Sequence, residues 1–286
     1  MPRALHVVAT PIGNLGDLTF RAVEVLRACP VVAAEDTRRL RVLAQRYGFR
    51  PRRVVLCDER TEERAAGAVL QALLDGSPVA LTSDAGTPGI SDPGYRLVRA
   101  VHEAGLRVIP IPGACAPVAA LSASGLATDR FVFAGFPPRR PAGLRSFLES
   151  LLSRPETAIL LESPERVLAL LSELDSAAPG REVVVARELT KLHEEVLRGD
   201  AGDLRRGLAD REGGLRGEFV VLVAGRGMGQ DFEGASAEAR SRARAVLTRP
   251  WTRALSRRDL ADLLSVACGL ERNEAYRLAH ATGETP

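Results

Sequence analysis

Five short apolar runs, each followed by a longer stretch with helical spacing, restrict the fold of this chain more than any other feature. The runs are apolar almost throughout, whereas a strand with one face in water alternates apolar and polar residues. Strands of this kind occur in parallel sheets that helices cover on both faces. The first half of the chain is therefore predicted to form a parallel α/β sheet, with strands at residues 5–9, 31–34, 53–56, 79–82 and 107–111.

Capping residues mark where the helices between these runs begin and end. Asp17 precedes a stretch with helical spacing and is the predicted N-cap of the first helix. Later helices are predicted to end near Gly48, Gly76 and Gly105, because glycine adopts the left-handed conformation of a helix C-cap at little cost.

A second set of strands follows a Ser- and Gly-rich segment at residues 122–129. These strands are predicted near residues 131–134, 157–161, 182–187, 194–198 and 219–224. Residues 226–236 then have the composition of a linker. Beyond the linker, one helix is predicted to begin at Ser256 and another to cover residues 271–281.

The length of the chain and these patterns predict two α/β domains and a small helical C-terminal appendage, because 286 residues are too many for one ordinary core. The N-terminal domain, with a parallel sheet, is predicted to cover residues 1–122. The second domain, with a mixed sheet, covers 123–226, and the appendage covers 237–286. The helix-turn-helix-like pattern of the appendage fits nucleic-acid binding, but it fits dimerisation or packing equally well.

Net charge says little about a partner. The 39 basic and 36 acidic side chains leave a formal net charge of only +3, which is too small a bias to diagnose nucleic-acid binding. All basic residues except Lys191 are arginine, whose planar guanidinium suits phosphate. The base composition of a genome produces the same bias, so the positions of the arginines matter more than their number.

The sequence indicates neither a membrane segment nor a metal site. It has no run of about eighteen apolar residues and no apolar signal segment before the first strand, so we expect a cytoplasmic protein. The cysteines form no Cys-x-x-Cys pair and therefore predict neither a zinc site nor a disulfide framework. They are Cys29, Cys57, Cys115 and Cys268.

Three loops that follow predicted strands are candidates for a ligand site. They cover residues 10–17, 83–94 and 110–117 and are rich in Gly, Pro, Asp and Ser. Ordinary turns also use these residues, but two of the loops are longer than a tight connection requires. In an open parallel sheet, ligands bind beyond the carboxyl ends of the strands. We therefore expect a ligand site where the three loops meet.

Two common nucleotide-binding motifs are absent from the sequence. Neither Gly-x-Gly-x-x-Gly nor Gly-x-x-x-x-Gly-Lys-Ser/Thr occurs, which argues against a standard dinucleotide fold and against a P-loop. Glu35 and Asp36 nevertheless lie about twenty residues after Gly13, where a dinucleotide fold binds a ribose. An NAD-type oxidoreductase therefore stays an alternative.

Four segments, taken in chain order, resemble the ribosomal RNA small-subunit methyltransferase I family, which belongs to the tetrapyrrole methylase superfamily. They read Thr-Pro-Ile-Gly-Asn-Leu at 10–15, Ala-Glu-Asp-Thr-Arg at 34–38, Ser-Asp-Ala-Gly-Thr-Pro at 83–88 with Asp-Pro-Gly at 92–94, and Ala-Arg-Glu-Leu-Thr-Lys at 186–191 followed by Glu194 and Glu195. The chain departs from the family at Ala114 and Cys115, at Leu160 and Leu161, and at residues 57–60, where relatives often carry histidines.

This resemblance implies a homodimer that binds S-adenosylmethionine in a cleft between the two α/β domains. It also implies methylation of the ribose 2′-hydroxyl of a cytidine in the decoding region of 16S rRNA, either as free RNA or within the 30S subunit. The implied cofactor-binding residues are Pro11, Gly13, Asp84, Gly86, Thr87, Gly113, Cys115, Ala116 and Leu161. Glu35, Asp36 and Arg38 would face the substrate.

The implied reaction needs a proton acceptor. A ribose hydroxyl is a poor nucleophile while it keeps its proton, so a carboxylate or an amine within hydrogen-bond reach would assist the transfer. The candidates are Lys191, Glu188 and Asp36, with Asp84 and Asp92 as further acids. Lys191 stands out because, as the only lysine of the chain, it is an amine whose pKa burial can lower. For each acid, a cap, a turn or a salt bridge explains its presence equally well.

Arginines are the candidates for binding RNA. Arg139 and Arg140, with Arg145 nearby, form the clearest local basic patch, and Phe136 beside them can stack on a base. A solvated loop would have the same composition. Arg187 would either pair with a neighbouring acid or bind an RNA phosphate.

Besides the NAD-type oxidoreductase, two alternatives to an RNA methyltransferase remain at this point. The first is methylation of a tetrapyrrole, because the superfamily shares the cleft, although a basic loop and a helical tail favour RNA. The second is an RNA-binding module without catalytic activity, which would leave the three ligand-type loops without a purpose.

Overall fold

The computed structural model describes residues 2–211, 214–226, 242–243, 245–249, 252, 255–268, 270, 275 and 278–279. These residues contain two separate five-stranded sheets, each covered by helices. Within the same residues, every helix is too short or too polar to cross a membrane.

The first sheet is entirely parallel, as predicted. Its strands are β1 (Leu5–Val8), β2 (Val31–Ala34), β3 (Arg53–Leu56), β4 (Val79–Thr82) and β5 (Val108–Ile111), in the order β3-β2-β4-β1-β5. The central strands β2 and β4 are buried along their whole length, whereas the edge strand β3 is largely exposed. An apolar run therefore predicted each strand, but it did not reveal which strands lie at the edges of the sheet.

Helices cover the two faces of this sheet. They are α1 (Phe20–Ala28), α2 (Thr37–Tyr47), α3 (Glu62–Leu74) and α4 (Tyr95–Glu103). Successive residues of a strand point to opposite faces, so Val32 packs with α1 and α2 while Val31 and Ala33 pack with α3 and α4. Left-handed glycines follow α2, α3 and α4 at the three predicted positions.

The predicted N-cap of α1 is wrong by two residues. Thr19 is the cap, because its Oγ1 accepts a hydrogen bond from the backbone N–H of Ala22 at 3.1 Å. Asp17 instead ends a short 3₁₀ turn, Leu15–Asp17. An aspartate and a threonine two positions apart are both good cap residues, so local sequence did not distinguish them.

The second sheet is mixed, again as predicted. Its strands are β6 (Phe131–Gly135), β7 (Thr157–Glu162), β8 (Glu182–Arg187), β9 (Glu195–Asp200) and β10 (Phe219–Val223), in the order β6-β7-β10-β8-β9. Only β6 and β7 pair in parallel. One face packs against α6 (Pro141–Leu152), α7 (Val167–Ala177) and α8 (Ala201–Ala209).

The other face of the second sheet is covered by α5 (Ala116–Ser124), which follows the last strand of the first sheet. Ala120 and Leu121 of this helix pack on Ile159, Val184 and Leu222. Helix α5 thus belongs structurally to the second sheet, whereas the predicted domain boundary at 122/123 lies inside it. The predicted domain ranges otherwise stay a prediction.

The described part of the C-terminal appendage contains α9 (Arg257–Cys268). Ser256 precedes it and accepts a hydrogen bond from the N–H of Asp259 at 3.1 Å, as expected of an N-cap. Leu260 and Leu264 are buried in a small core of its own. Most of the predicted linker at 226–236 and most of the second tail helix at 271–281 lie outside the described residues.

Candidate active site

Two adjoining cavities lie between the sheets. The first, which we call the apolar cavity, has a volume of about 320 Å³ and is lined mostly by apolar side chains and by backbone. Its walls come from the loops after β1, β4, β5 and β6, from the end of β7 and from the start of β10. The lining residues are Ile12, Ala85, Gly86, Thr87, Ile90, Ser91, Asp92, Cys115, Ala116, Pro117, Phe136, Leu161, Glu162, Ser163, Pro164, Gly217, Glu218, Phe219 and Val220.

The second cavity, which we call the charged cavity, has a volume of about 420 Å³. It is lined by Pro11, Ile12, Gly13, Leu15, Arg39, Val42, Leu43, Asp84, Ala85, Asp92, Lys191 and Glu218. Ile12, Ala85, Asp92 and Glu218 line both cavities. The two cavities therefore adjoin each other at these residues.

The three predicted ligand loops meet as expected, and backbone hydrogen bonds join them. Thr10 and Gly86 exchange two backbone hydrogen bonds of 2.8 and 3.1 Å, which link the loops after β1 and β4. The Oγ1 of Thr87 donates to the carbonyl oxygen of Ala114 at 3.1 Å, which links the loops after β4 and β5. Gly86 has a φ of +83°, a left-handed conformation that favours glycine.

The far end of the loop at residues 83–94 is held by Glu62, which the sequence analysis did not single out. Its side chain is buried, and Oε1 accepts hydrogen bonds from the N–H groups of Gly94, Arg96 and Leu97 at 2.9, 2.7 and 3.3 Å. Glu62 thus supplies the cap of α4 from a different helix. Its partners are more than thirty residues away, so no local pattern could have revealed this role.

Gly13 lines the charged cavity, but it is also needed for contact between the domains. A Cβ at this position would lie 2.6 Å from Cγ of Lys191 and 2.7 Å from Oγ1 of Thr190. The N–H of Asn14 also donates to Oγ1 of Thr190 at 3.0 Å. Gly13 therefore lets the loop between β8 and β9 approach the first domain, in addition to any ligand contact.

The predicted low pKa of Lys191 is wrong. Burial favours the neutral amine, but hydrogen bonds and charges from Glu188 and Glu218 outweigh it, so the pKa of Lys191 lies above its ordinary value. Its Nζ is 2.8 Å from Oε1 of Glu188 and 3.2 Å from Oε2 of Glu218. The hydrogen bond from Lys191 in turn holds the pKa of Glu188 below its ordinary value. Lys191 is thus a cation at neutral pH, and Glu188 is its counter-ion.

Asp36 and Arg38 form a local structure at the start of α2. Oδ1 of Asp36 accepts a hydrogen bond from the N–H of Arg38 at 2.7 Å and caps the helix. The hydrogen bonds from Arg38 lower the pKa of Asp36 to about 2. The Arg38 side chain is 86% exposed and pairs with Asp36 at 2.7 Å. These contacts explain Asp36 as a cap and a counter-ion, which makes it a poor proton acceptor.

Glu35 and Asp84 lie beside each other at the ends of β2 and β4. Oε2 of Glu35 accepts a hydrogen bond from the N–H of Asp84 at 3.0 Å, so Glu35 supports the loop after β4. Its contact with a substrate stays a prediction. Arg39, which the sequence analysis missed, lines the charged cavity, and its Nε lies 3.8 Å from Oδ2 of Asp84. Burial raises the pKa of both Glu35 and Asp84.

The side chain of Arg187 binds to groups of the second domain. Its side chain is 15% exposed, and its guanidinium contacts Glu195 at 3.0 Å, the carbonyl of Arg216 at 2.8 Å and the ring of Phe219. The alternative in which Arg187 pairs with an acid is confirmed. Contact of Arg187 with an RNA phosphate stays a prediction.

Arg139 and Arg140 are exposed in the loop between β6 and α6. Arg166 anchors this loop, because its Nη2 donates to the carbonyls of Pro137 and Pro138, both at 3.0 Å. The same guanidinium lies 3.3 Å from Oε2 of the buried Glu162, which lines the apolar cavity. Phe136 lines that cavity too, so the basic loop begins at its rim.

The structure divides the predicted cofactor residues between the two cavities. Gly86, Thr87, Cys115, Ala116 and Leu161 line the apolar cavity, whereas Pro11, Gly13 and Asp84 line the charged one. Gly113 instead packs tightly on Ala9, where a Cβ would come within 2.9 Å of the Ala9 Cβ. Leu160, adjacent to Leu161, is buried in the core of the second domain.

Two acidic cavity residues were missed for identifiable reasons. Glu162 ends β7, and the predicted strand stopped one residue too early, at 161. Glu218 precedes β10, whose first residue Phe219 pairs with Glu162 because the strands are antiparallel. The start of β10 therefore lies at the same edge of the sheet as the end of β7. The sequence analysis looked for site residues only after strands, whereas Glu218 comes before one.

Comparison with known proteins agrees with this architecture. The sequence model of the family described as Tetrapyrrole (Corrin/Porphyrin) Methylases matches residues 4–205. The chain is similar in fold to the solved structures of the methyltransferase CobJ (TM-score 0.58, 20% identity, 78% of this chain and 94% of that one) and of diphthine synthase (TM-score 0.58, 16% identity, 77% and 90%). At these identities the structures support the fold alone.

Sequence similarity to curated proteins is much higher. A Pseudomonas aeruginosa protein named Ribosomal RNA small subunit methyltransferase I is 46% identical over 236 residues, which cover 82% of this chain and 83% of that protein. A Synechocystis sp. protein of the same name is 42% identical over 277 residues, 96% of each chain. With these matches over most of its length, the chain belongs to the tetrapyrrole methylase family and, within it, to the ribosomal RNA small subunit methyltransferase I family.

Proposed function

We propose that this protein transfers a methyl group from S-adenosylmethionine to the ribose 2′-hydroxyl of a cytidine in the decoding region of 16S rRNA. The observation that carries the proposal is the pair of adjoining cavities, one apolar and one charged, at the edge where the ligand loops of both domains meet. Such a pair suits a methyl donor and an acceptor held side by side. The names of the relatives supply the RNA class of the acceptor.

The apolar cavity fits the cofactor in size and chemistry. Its volume of about 320 Å³ is within the range of small-molecule sites. Apolar side chains such as Ile12, Leu161 and Val220 would contact the adenosyl group. Cys115 lines the cavity as the N-cap of α5 and makes no side-chain capping bond in the described structure, which leaves the first turn of the helix to bind a carboxylate.

When bound, the cofactor supplies a methyl carbon on a positively charged sulfur, which departs as a neutral thioether. In-line attack requires alignment of the acceptor oxygen, and much of the catalysis can come from holding it there. Arg39 and Lys191 line the charged cavity and would hold the ribose-phosphate backbone through charge-assisted contacts. Lys191 belongs to the second domain and packs so closely on Gly13 of the first that a Cβ there would clash with it, so this cation lies at the junction of the two domains.

The substrate class is tested with radiolabelled S-adenosylmethionine and three separate acceptor pools: 16S rRNA, 30S subunits and precorrins. We expect label in one of the RNA pools, recovered as 2′-O-methylcytidine after nuclease digestion. Calorimetry on the same preparation measures cofactor binding. Label in the precorrin pool would support the tetrapyrrole alternative, whereas RNA binding without cofactor binding would support a non-catalytic module. The homodimer and the cytoplasmic location stay predictions.

Replacement of both Arg139 and Arg140 by alanine should weaken RNA binding and leave cofactor affinity unchanged. Each arginine that contacts a phosphate releases counterions, so the loss of two contacts should reduce the slope of log affinity against log salt by about 1.4. Binding titrations at several salt concentrations measure this slope. Arg52→Ala with Arg53→Ala is the matched control, because these exposed arginines lie at the opposite edge of the first sheet. Equal slopes in wild type and the Arg139/Arg140 variant would contradict RNA binding by this loop.

A further inference from the structure

Asp92 occupies the boundary between the apolar and charged cavities. Four residues line both cavities, and only Asp92 and Glu218 among them are ionisable. Glu218 is 75% exposed and pairs with Lys191 at 3.2 Å. Asp92 is therefore the less solvated acid at the point where a methyl donor and an acceptor would meet.

The other candidates for a proton acceptor are committed elsewhere. Asp36 caps α2 and pairs with Arg38. Glu188 and Lys191 form a mutual ion pair, and Lys191 holds its proton. Asp84 lines only the charged cavity and has Arg39 as its counter-ion at 3.8 Å.

The surroundings of Asp92 favour its neutral form at moderately acidic pH. Burial raises the pKa of Asp92 to about 7, the charges of Glu35, Asp84 and Glu218 add to this, and a hydrogen bond from Ser83 opposes it. The cations of the charged cavity, Arg39 and Lys191, are paired with acids. A carboxylate with a pKa near the working pH accepts a proton efficiently.

The backbone holds Asp92 in place. Ser91, the preceding residue, has a φ of +62°, which is strained for a residue other than glycine. Pro93 follows and disfavours helical conformations at Asp92. One residue further, the N–H of Gly94 is bound by Glu62. Backbone strain of this kind clusters at functional sites.

We propose that Asp92 is the general base that removes the proton of the acceptor hydroxyl during methyl transfer. This proposal rests on the proposed function. The O–H bond breaks and its proton goes to the Asp92 carboxylate, while the oxygen forms a bond to the methyl carbon. The bond between that carbon and the sulfonium sulfur breaks, and its electron pair stays on sulfur. A carboxylate and a sulfonium thus become a neutral acid and a neutral thioether, and the acid later releases its proton to water.

Single-turnover methylation at saturating cofactor and RNA, measured from pH 5.5 to 9, tests the assignment. The wild-type rate should rise with pH through an inflection near 7, and Asp92→Asn should be slower by about 100-fold or more at pH 8 without that inflection. Affinities for cofactor and RNA should stay within a few-fold. Asp75→Asn, an exposed aspartate at the end of α3, is the matched control and should behave as wild type.

Thermal unfolding gives a second readout that does not depend on activity. Because folding raises the pKa of Asp92 from 3.8 to about 7, the folded protein loses stability as pH rises through this interval, and the loss persists above it. Asp92→Asn has no such proton to lose. Its Tm should equal that of wild type near pH 4 and exceed it by several degrees at pH 8.

The two proposals fail in different ways. An active wild type together with an Asp92→Asn variant of similar rate and the same inflection would overturn the assignment of Asp92 and leave the proposed function intact. Equal Tm values at pH 8 would also overturn it, since the carboxylate would then not be poised near neutral pH. A wild type that methylates no RNA would overturn the proposed function and, with it, the role of Asp92.

Discussion

Gly86→Val is expected to abolish cofactor binding, with a loss of at least about 100-fold in affinity, because it adds strain and bulk to the wall of the apolar cavity. Gly86 has a φ of +83°, which a β-branched residue adopts only with strain. Its Cβ would lie 3.3 Å from Cγ2 of Ile12 and 3.7 Å from the carbonyl oxygen of Ala114. The two hydrogen bonds to Thr10 keep the backbone from moving away. Calorimetry with S-adenosylmethionine measures the loss.

Gly76→Val is the matched control for this variant. Gly76 has a similar φ of +89°, but a Cβ there would meet nothing within 4 Å among the described residues. It follows α3, at the opposite edge of the sheet from the cavities. Gly76→Val should therefore lower Tm through strain and retain cofactor affinity. Unchanged affinity in Gly86→Val would remove the loop at residues 83–94 from the cofactor site.

Glu62→Ala is expected to destabilise the protein by about 3–5 kcal/mol, because it leaves buried backbone donors at the start of α4 without their acceptor. The carboxylate binds three N–H groups from a buried position, and such charge-assisted bonds are among the stronger ones. The loop that carries Asp92 should lose its anchor at Gly94, so cofactor affinity should fall as well. Denaturant unfolding and calorimetry measure the two effects.

The adjacent residue provides the control. Glu63 is 80% exposed and pairs with Arg96 at 2.8 Å, so Glu63→Ala should change the free energy of unfolding by less than about 1 kcal/mol. Glu62→Gln keeps an acceptor oxygen and should lie between wild type and Glu62→Ala. A Glu62→Ala variant as stable as Glu63→Ala would show that α4 does not need this cap.

Local sequence signals were sufficient for most of the fold. Strand β2 is wholly apolar and β4 is apolar except for Thr82, and Gly48, Gly76 and Gly105 follow their helices as predicted. Such signals depend only on neighbouring residues, which is why strand positions were accurate. The predicted domain boundary at 122/123 falls inside α5, because local sequence does not show which sheet a helix covers, and Ala120 and Leu121 pack on the second one.

The position of the site also followed from sequence, through topology. Parallel strands end at one edge of a sheet, so the loops that contain Thr10, Gly86 and Ala114 had to meet there. The contacts between the two domains could not be predicted from the sequence in this way. Asn14 and Thr190 are 176 residues apart, and no periodicity relates them.

The sequence by itself determined which residue types stand at the edge of the first sheet, but only the tertiary structure decided which of them keep a proton. Burial was expected to lower the pKa of Lys191, yet Glu188 and Glu218 raise it above its ordinary value. In the sequence Asp92 was one candidate acid among several. Burial, together with the charges of Glu35 and Glu218, raises its pKa to about 7. The pKa of a group depends on how much water the group loses on burial and on the charges within a few ångströms of it. Folding brings those charges together from distant parts of the chain, so the sequence alone does not reveal them.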